Sequence, residues 1–122
     1  MKQAFSPKLR IKSIGHALAG VLELMQSQPN AQLHLLATVL VAIAGFVTGI
    51  NRLEWLSLVI VIAMVWAAEA FNTALEVLCD KVEPEHSPAI KTVKDLAAAG
   101  VLLTAIGAAV VGALVFLPHW LG

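Results

Sequence analysis

Residues 67 to 81 read AAEAFNTALEVLCDK and carry Glu69, Asn72, Glu76 and Asp80 within an otherwise apolar run. At about 100° per residue these four side chains fall within about 80° of one another on a helix, with Thr73 close to the same sector. A carboxylate inside a membrane span costs about 2.5–3.5 kcal/mol on insertion scales and usually marks function. Hard divalent cations take oxygen ligands, and Mg²⁺ commonly uses one or two carboxylates while a substrate's phosphates supply others. A deeper, partly desolvated carboxylate suits general-base work. Carboxylates for a metal, one for a base and nearby lysines, Lys91 and Lys94, are the parts that phosphoryl transfer requires. The same face could equally bind an ion for transport, and residue chemistry alone leaves the two readings close. Blander readings also stand: Asp80 beside Lys81 as a solvated helix end, and Glu76 paired with Lys81 at the interface.

The elements that position these groups are membrane helices. Of 122 residues, 59% are hydrophobic and 13% charged, against about 45–50% and about 25% in soluble domains. A soluble chain this short could not bury so much apolar surface. Formal net charge is zero, so no overall field draws in nucleic acid. The one cysteine, Cys79, reads as a small buried hydrophobe. Three apolar runs, at about 33–50, 55–79 and 97–117, approach or exceed the roughly 20 residues of a membrane span. Before them, a Ser6–Pro7 helix start precedes Ile11, Ile14, Leu18, Val21, Leu22 and Met25 at helical spacing. This predicts an amphipathic surface helix over about 7–28, stopped at Pro29–Asn30; packing against protein alone is the other reading. Pro84 and Pro88 break the second span's helix after about residue 82. The expected fold is therefore an all-α membrane protein: a surface helix plus three spans, in a single domain over 1–122.

Basic residues orient it. Lys2, Lys8, Arg10 and Lys12 precede the first span, and Lys81, Lys91 and Lys94 lie between the second and third, while Arg52 alone falls on the opposite side. The positive-inside rule makes the first face cytoplasmic, so the N-terminus and the acidic end of the second span open to the cytoplasm from the inner membrane. Gly45 and Gly49 form a GxxxG pair, and Gly100, Thr104, Ala108 and Gly112 recur every four residues, as do Ala97, Ala105, Ala109 and Ala113. Such stripes let helices approach closely, within one chain or between subunits. No GxxxxGK[ST] or GxGxxG is present, so a nucleotide would be held without a P-loop.

The segment AEAFNTALEVLCDKVEPEHSPAIKTVKDLAAAG resembles the signature of small prokaryotic integral-membrane lipid kinases, the diacylglycerol kinase and undecaprenol kinase family. The shared pattern is E-x-x-N-[ST]-A-x-E-x-x-x-D, followed by K-D and a small-residue helix; KSIGHALAG and NAQLH look closer to the undecaprenol kinase branch. The resemblance implies a homotrimer with interfacial active sites, transferring phosphate from ATP with Mg²⁺ to a membrane lipid alcohol. It implies that Glu69 is the base, that Asn72 positions the hydroxyl or γ-phosphate, and that Glu76 ligates Mg²⁺. Lys94, Asp95 and Glu85 would hold the nucleotide, with His16 and Gly20 lining its other side. Two positions depart from the family pattern. Gln28 stands where many members have a metal-binding glutamate, and Leu9 aligns with an arginine, with Arg10 beside it. The competing function is a non-catalytic or ion-coupled small membrane protein using the Glu69/Glu76 cluster. The ion-coupled form would require polar partners for Glu69, for which only Thr38, Thr48 and Thr104 come forward from the other spans.

Overall fold

The computed structural model describes residues 4–85 and 87–122. Lys2, counted above for orientation, lies outside them. Four helices follow in order: α1 Pro7–Ser27, α2 Pro29–Thr48, α3 Arg52–Val82 and α4 Pro88–Leu121. The last three are each long and apolar enough to cross a membrane.

Local chemistry sets every boundary. Ser6 caps α1, accepting from the Leu9 N–H, and Pro7 follows in the first helical turn, where its missing N–H costs nothing. Gln28 closes α1 and opens α2 at once. Its N–H donates to the Leu24 carbonyl and its own carbonyl accepts from Gln32. Pro29 forces the residue before it out of helical geometry, and Gln28 is accordingly extended at φ −116°, ψ 114°. Gly49 ends α2 in the left-handed region at φ 73°, a conformation that favours glycine. Asn51 and Glu54 then form a capping box: each backbone N–H donates to the other's side chain, at 3.0 and 2.9 Å. Ser87 caps α4 ahead of Pro88.

Two boundaries differ from expectation. The third span's helix begins nine residues before its apolar run, because Ser87–Pro88 is itself a helix start. It also continues past Pro118 to Leu121, where Phe116 stacks on Trp120 at 5.1 Å. The two glycines of the GxxxG pair play different parts within the chain. Gly49 makes the turn, and Gly45 lies beneath the Trp55 ring, where an added Cβ would sit 2.5 Å from the indole.

The far end of the bundle is closed. Ile50, Leu58, Val115 and Phe116 form the buried core, with Val41, Ala44, Trp55, Ile62 and Val111 against it. His119 Nε2 stands 3.0 Å from both Glu54 carboxylate oxygens, and Trp120 donates to the Thr48 hydroxyl at 3.0 Å. These contacts tie the end of α4 to the start of α3 and the end of α2. α1 packs differently: Leu24 in its last turns is buried, while Ile11 and Leu18 are 71% and 61% exposed. Its apolar stripe is thus left open within one chain.

Candidate functional site

α3 contains 31 residues, or about 46 Å at 1.5 Å per residue. A hydrocarbon layer of about 30 Å takes about 20 of them, which from Arg52 reaches to about residue 72. Counted this way, Glu69 and Asn72 fall at the end of a membrane-length stretch, and Glu76 and Asp80 lie beyond it. Glu69 is 1% exposed and Asn72 8%. Three buried polar atoms on this face, Glu69 Oε2, Asn72 Oδ1 and Thr73 Oγ1, have no hydrogen-bond partner among the described residues. Leaving such an atom unsatisfied costs about 1–3 kcal/mol. A folded chain that carries three together has a reason other than stability.

The titratable side chain that faces Glu69 comes from α2. His34 Nε2 lies 3.4 Å from Glu69 Oε2. The register that brings them together is held one turn along, where Thr38 donates to the His34 carbonyl at 2.7 Å and accepts from the Trp66 indole at 3.1 Å. His34 also lines an apolar cavity of about 320 Å³ between α2, α3 and α4, walled by Val41, Leu58, Trp66, Ala108 and Phe116 among others. Ala105, Ala108, Ala109 and Gly112 supply its α4 wall, so small residues of both stripes are used inside the chain. Sequence reasoning passed over His34 when seeking partners for Glu69. The signal was present, since it is the one titratable residue between Pro29 and Thr48.

Toward water the site becomes ionic. Lys94 Nζ reaches Asp80 Oδ1 at 2.7 Å, joining α4 to α3, and Lys91 pairs with Asp95 one turn along α4. Glu76, half-buried, is close enough for its charge to act on Lys94. Asp80, itself largely exposed, thus ties the end of α3 to α4 through Lys94. Glu76 has no hydrogen bond or ion pair among the described residues, with Lys81 or any other. His16, Gly20 and Glu85 are exposed, and among the described residues neither His16 nor Glu85 makes a side-chain contact of either kind. Gln28 is half-buried at the α1–α2 joint. No group of three His, Cys, Asp or Glu side chains comes together among the described residues.

A carboxylate hidden near one end of the apolar stretch of α3, with lysines and further carboxylates a few turns away, suits a substrate that has both apolar and charged parts. Residues 15–116 match the profile of the prokaryotic diacylglycerol kinase family, and the chain belongs to that family. It is 35% identical over 107 residues to an undecaprenol kinase of Bacillus subtilis (strain 168), covering 88% of this chain and 87% of the relative. It is 33% identical over 114 residues to a diacylglycerol kinase of Synechocystis sp., covering 93% of this chain but 65% of that longer protein. The chain is therefore a membrane lipid kinase, a phosphotransferase with an alcohol as acceptor.

Proposed function

We propose that this chain is a single-domain kinase that transfers the γ-phosphate of Mg-ATP to the hydroxyl of a membrane lipid alcohol, with undecaprenol favoured over diacylglycerol. The observation that carries the reading is Glu69, buried to 1% with an unpartnered oxygen where the apolar layer ends. The lean toward undecaprenol rests on the Bacillus relative, which matches this chain nearly end to end. In the proposed reaction the Glu69 carboxylate takes the proton from the lipid hydroxyl. The hydroxyl oxygen bonds to the γ-phosphorus, and the bond from that phosphorus to the β-bridging oxygen breaks. The electron pair leaves with ADP, and Glu69 returns its proton to water. Asn72, one turn nearer the water, orients the hydroxyl oxygen or the phosphate by donating from its amide NH2.

Lys94 and Asp95, with Glu85, hold the nucleotide, and His16 and Gly20 of α1 cover it. Mg²⁺ shared with phosphate oxygens needs only one or two protein carboxylates. Glu76, without a partner of its own, fits that need, with the amide oxygen of Gln28 as second ligand. When bound, the ion offsets charge on the transferring phosphoryl group. The lysines face the cytoplasm from the inner membrane, α1 lies on its surface through Ile11, Ile14, Leu18 and Leu22, and three copies assemble. The open apolar faces of a chain this small support that assembly.

The test is transfer of labelled γ-phosphate from Mg-ATP in detergent micelles, with undecaprenol and diacylglycerol offered separately. Labelled undecaprenyl phosphate in excess is the expected result. Excess labelled phosphatidic acid reverses the acceptor assignment, and labelling of neither overturns the reaction proposed.

A further inference from the structure

We propose that His34 is a positioning residue for Glu69, its Nε2–H donating to Glu69 Oε2 and leaving Oε1 to receive the lipid proton. The inference rests on the reading of Glu69 as the base. Glu69 Oε2 is buried without a hydrogen-bond partner, and the His34 imidazole is the group facing it, at 3.4 Å. That separation is longer than the usual 2.7–3.2 Å of N–H···O. Catalytic hydrogen bonds are often long before substrate binds and tighten in the Michaelis complex.

The imidazole is not free to wander. Its backbone carbonyl accepts from Thr38, Thr38 accepts from Trp66, and the Trp66 indole meets the imidazole edge-on with ring centroids 6.2 Å apart. Trp66 lies one turn before Glu69 on α3, so a single α3 face fixes both the histidine and the carboxylate it serves. Across the cavity that His34 lines, α4 offers alanines, Gly112 and Phe116, none with a side-chain acceptor that could draw the imidazole N–H away from Glu69. The histidine side chain is 21% exposed and the glutamate 1%. Donation to one oxygen fixes the carboxylate's rotamer and decides which oxygen meets the substrate.

The experiment measures kcat and KM for lipid and Mg-ATP on the full chain in mixed micelles. The variants are His34→Leu, His34→Gln and Glu69→Gln, each checked for folding by Trp fluorescence during SDS titration. Leu keeps bulk without a donor, while Gln places an amide N–H near the Nε2 position. Misplacing a reacting group by about 1 Å can cost about 100-fold. His34→Leu should therefore lower kcat by about 10- to 100-fold with KM for Mg-ATP unchanged, and His34→Gln should recover about tenfold. A packing role would instead be met by Leu and failed by Gln. Turnover of His34→Leu within about threefold of the parent overturns the inference, as does a folded His34→Gln no better than Leu. If His34→Leu does not fold, His34→Met carries the same comparison. Near-normal turnover of Glu69→Gln overturns the base assignment and this inference with it. An inactive Glu69→Gln beside an unaffected His34→Leu removes the His34 role alone.

Discussion

Replacing Glu69 with glutamine separates a residue kept for chemistry from one kept for stability. The two purposes predict opposite results from one substitution. If Glu69 and His34 were a structural ion pair, breaking it would leave an uncompensated buried group and cost about 3–5 kcal/mol of stability. The geometry argues otherwise, since the pair stands at 3.4 Å without substrate and Glu69 Oε2 then has no close hydrogen bond to lose among the described residues. Glutamine has the same shape and fills the same buried space, so the unfolding free energy should change by less than about 1 kcal/mol, or rise. Turnover should fall by about 10²- to 10⁴-fold, the usual contribution of a positioned base. At 1.36 kcal/mol per decade that raises the barrier by about 2.7–5.4 kcal/mol. Labelled-phosphate transfer at saturating substrates reads the second quantity, and SDS titration followed by Trp fluorescence reads the first. A variant destabilised by 3 kcal/mol or more, or one that turns over almost normally, would refute the reasoning.

Other perturbations test other parts. Gly45→Ala drives a Cβ to 2.5 Å from the Trp55 ring and should destabilise by about 1–3 kcal/mol. In a Trp55→Leu background the penalty should shrink, as SDS unfolding of the single and double variants would read. Lys94→Ala should raise KM for Mg-ATP by about tenfold. Asp80→Asn, which breaks the same largely exposed pair, should shift stability by less than about 1 kcal/mol. Gln28→Glu adds a negative charge at the proposed metal ligand and should lower the Mg²⁺ concentration giving half-maximal turnover, since charge count tunes such sites.

The helices were legible because each is announced locally: Ser6–Pro7 and Ser87–Pro88 at starts, an apolar run within each span, Pro84 after the end of α3. The polar face of Glu69, Asn72 and Glu76 followed from helical periodicity alone. What periodicity does not contain is how one helix is rotated against the next. The pairing of His34 with Glu69 depends on the Thr38–Trp66 contact, and Asp80 with Lys94 on the antiparallel return of α4. Neither partner can be chosen from its own segment. The Gly45 and Gly49 spacing was compatible with packing or with a turn, and Trp55, ten residues beyond Gly45, decided for the turn. The Asn51–Glu54 capping box, by contrast, is a local N-x-x-E pattern that a closer reading of the sequence would have found.

Gln28 is a joint made of a single residue, and this sets a mechanical scale. α1 has 21 residues, so it is an arm of about 31 Å swinging from one pair of backbone dihedrals. A rotation of about 10° at the joint would carry the far end by about 5 Å and His16 by about 3 Å. Pro29 stiffens that joint from one side. Leu24, buried in the last turns of the arm, clamps it close to the pivot, where leverage is least. A tilt of the first span would thereby reach His16 magnified, and the N-terminal end of the arm more so.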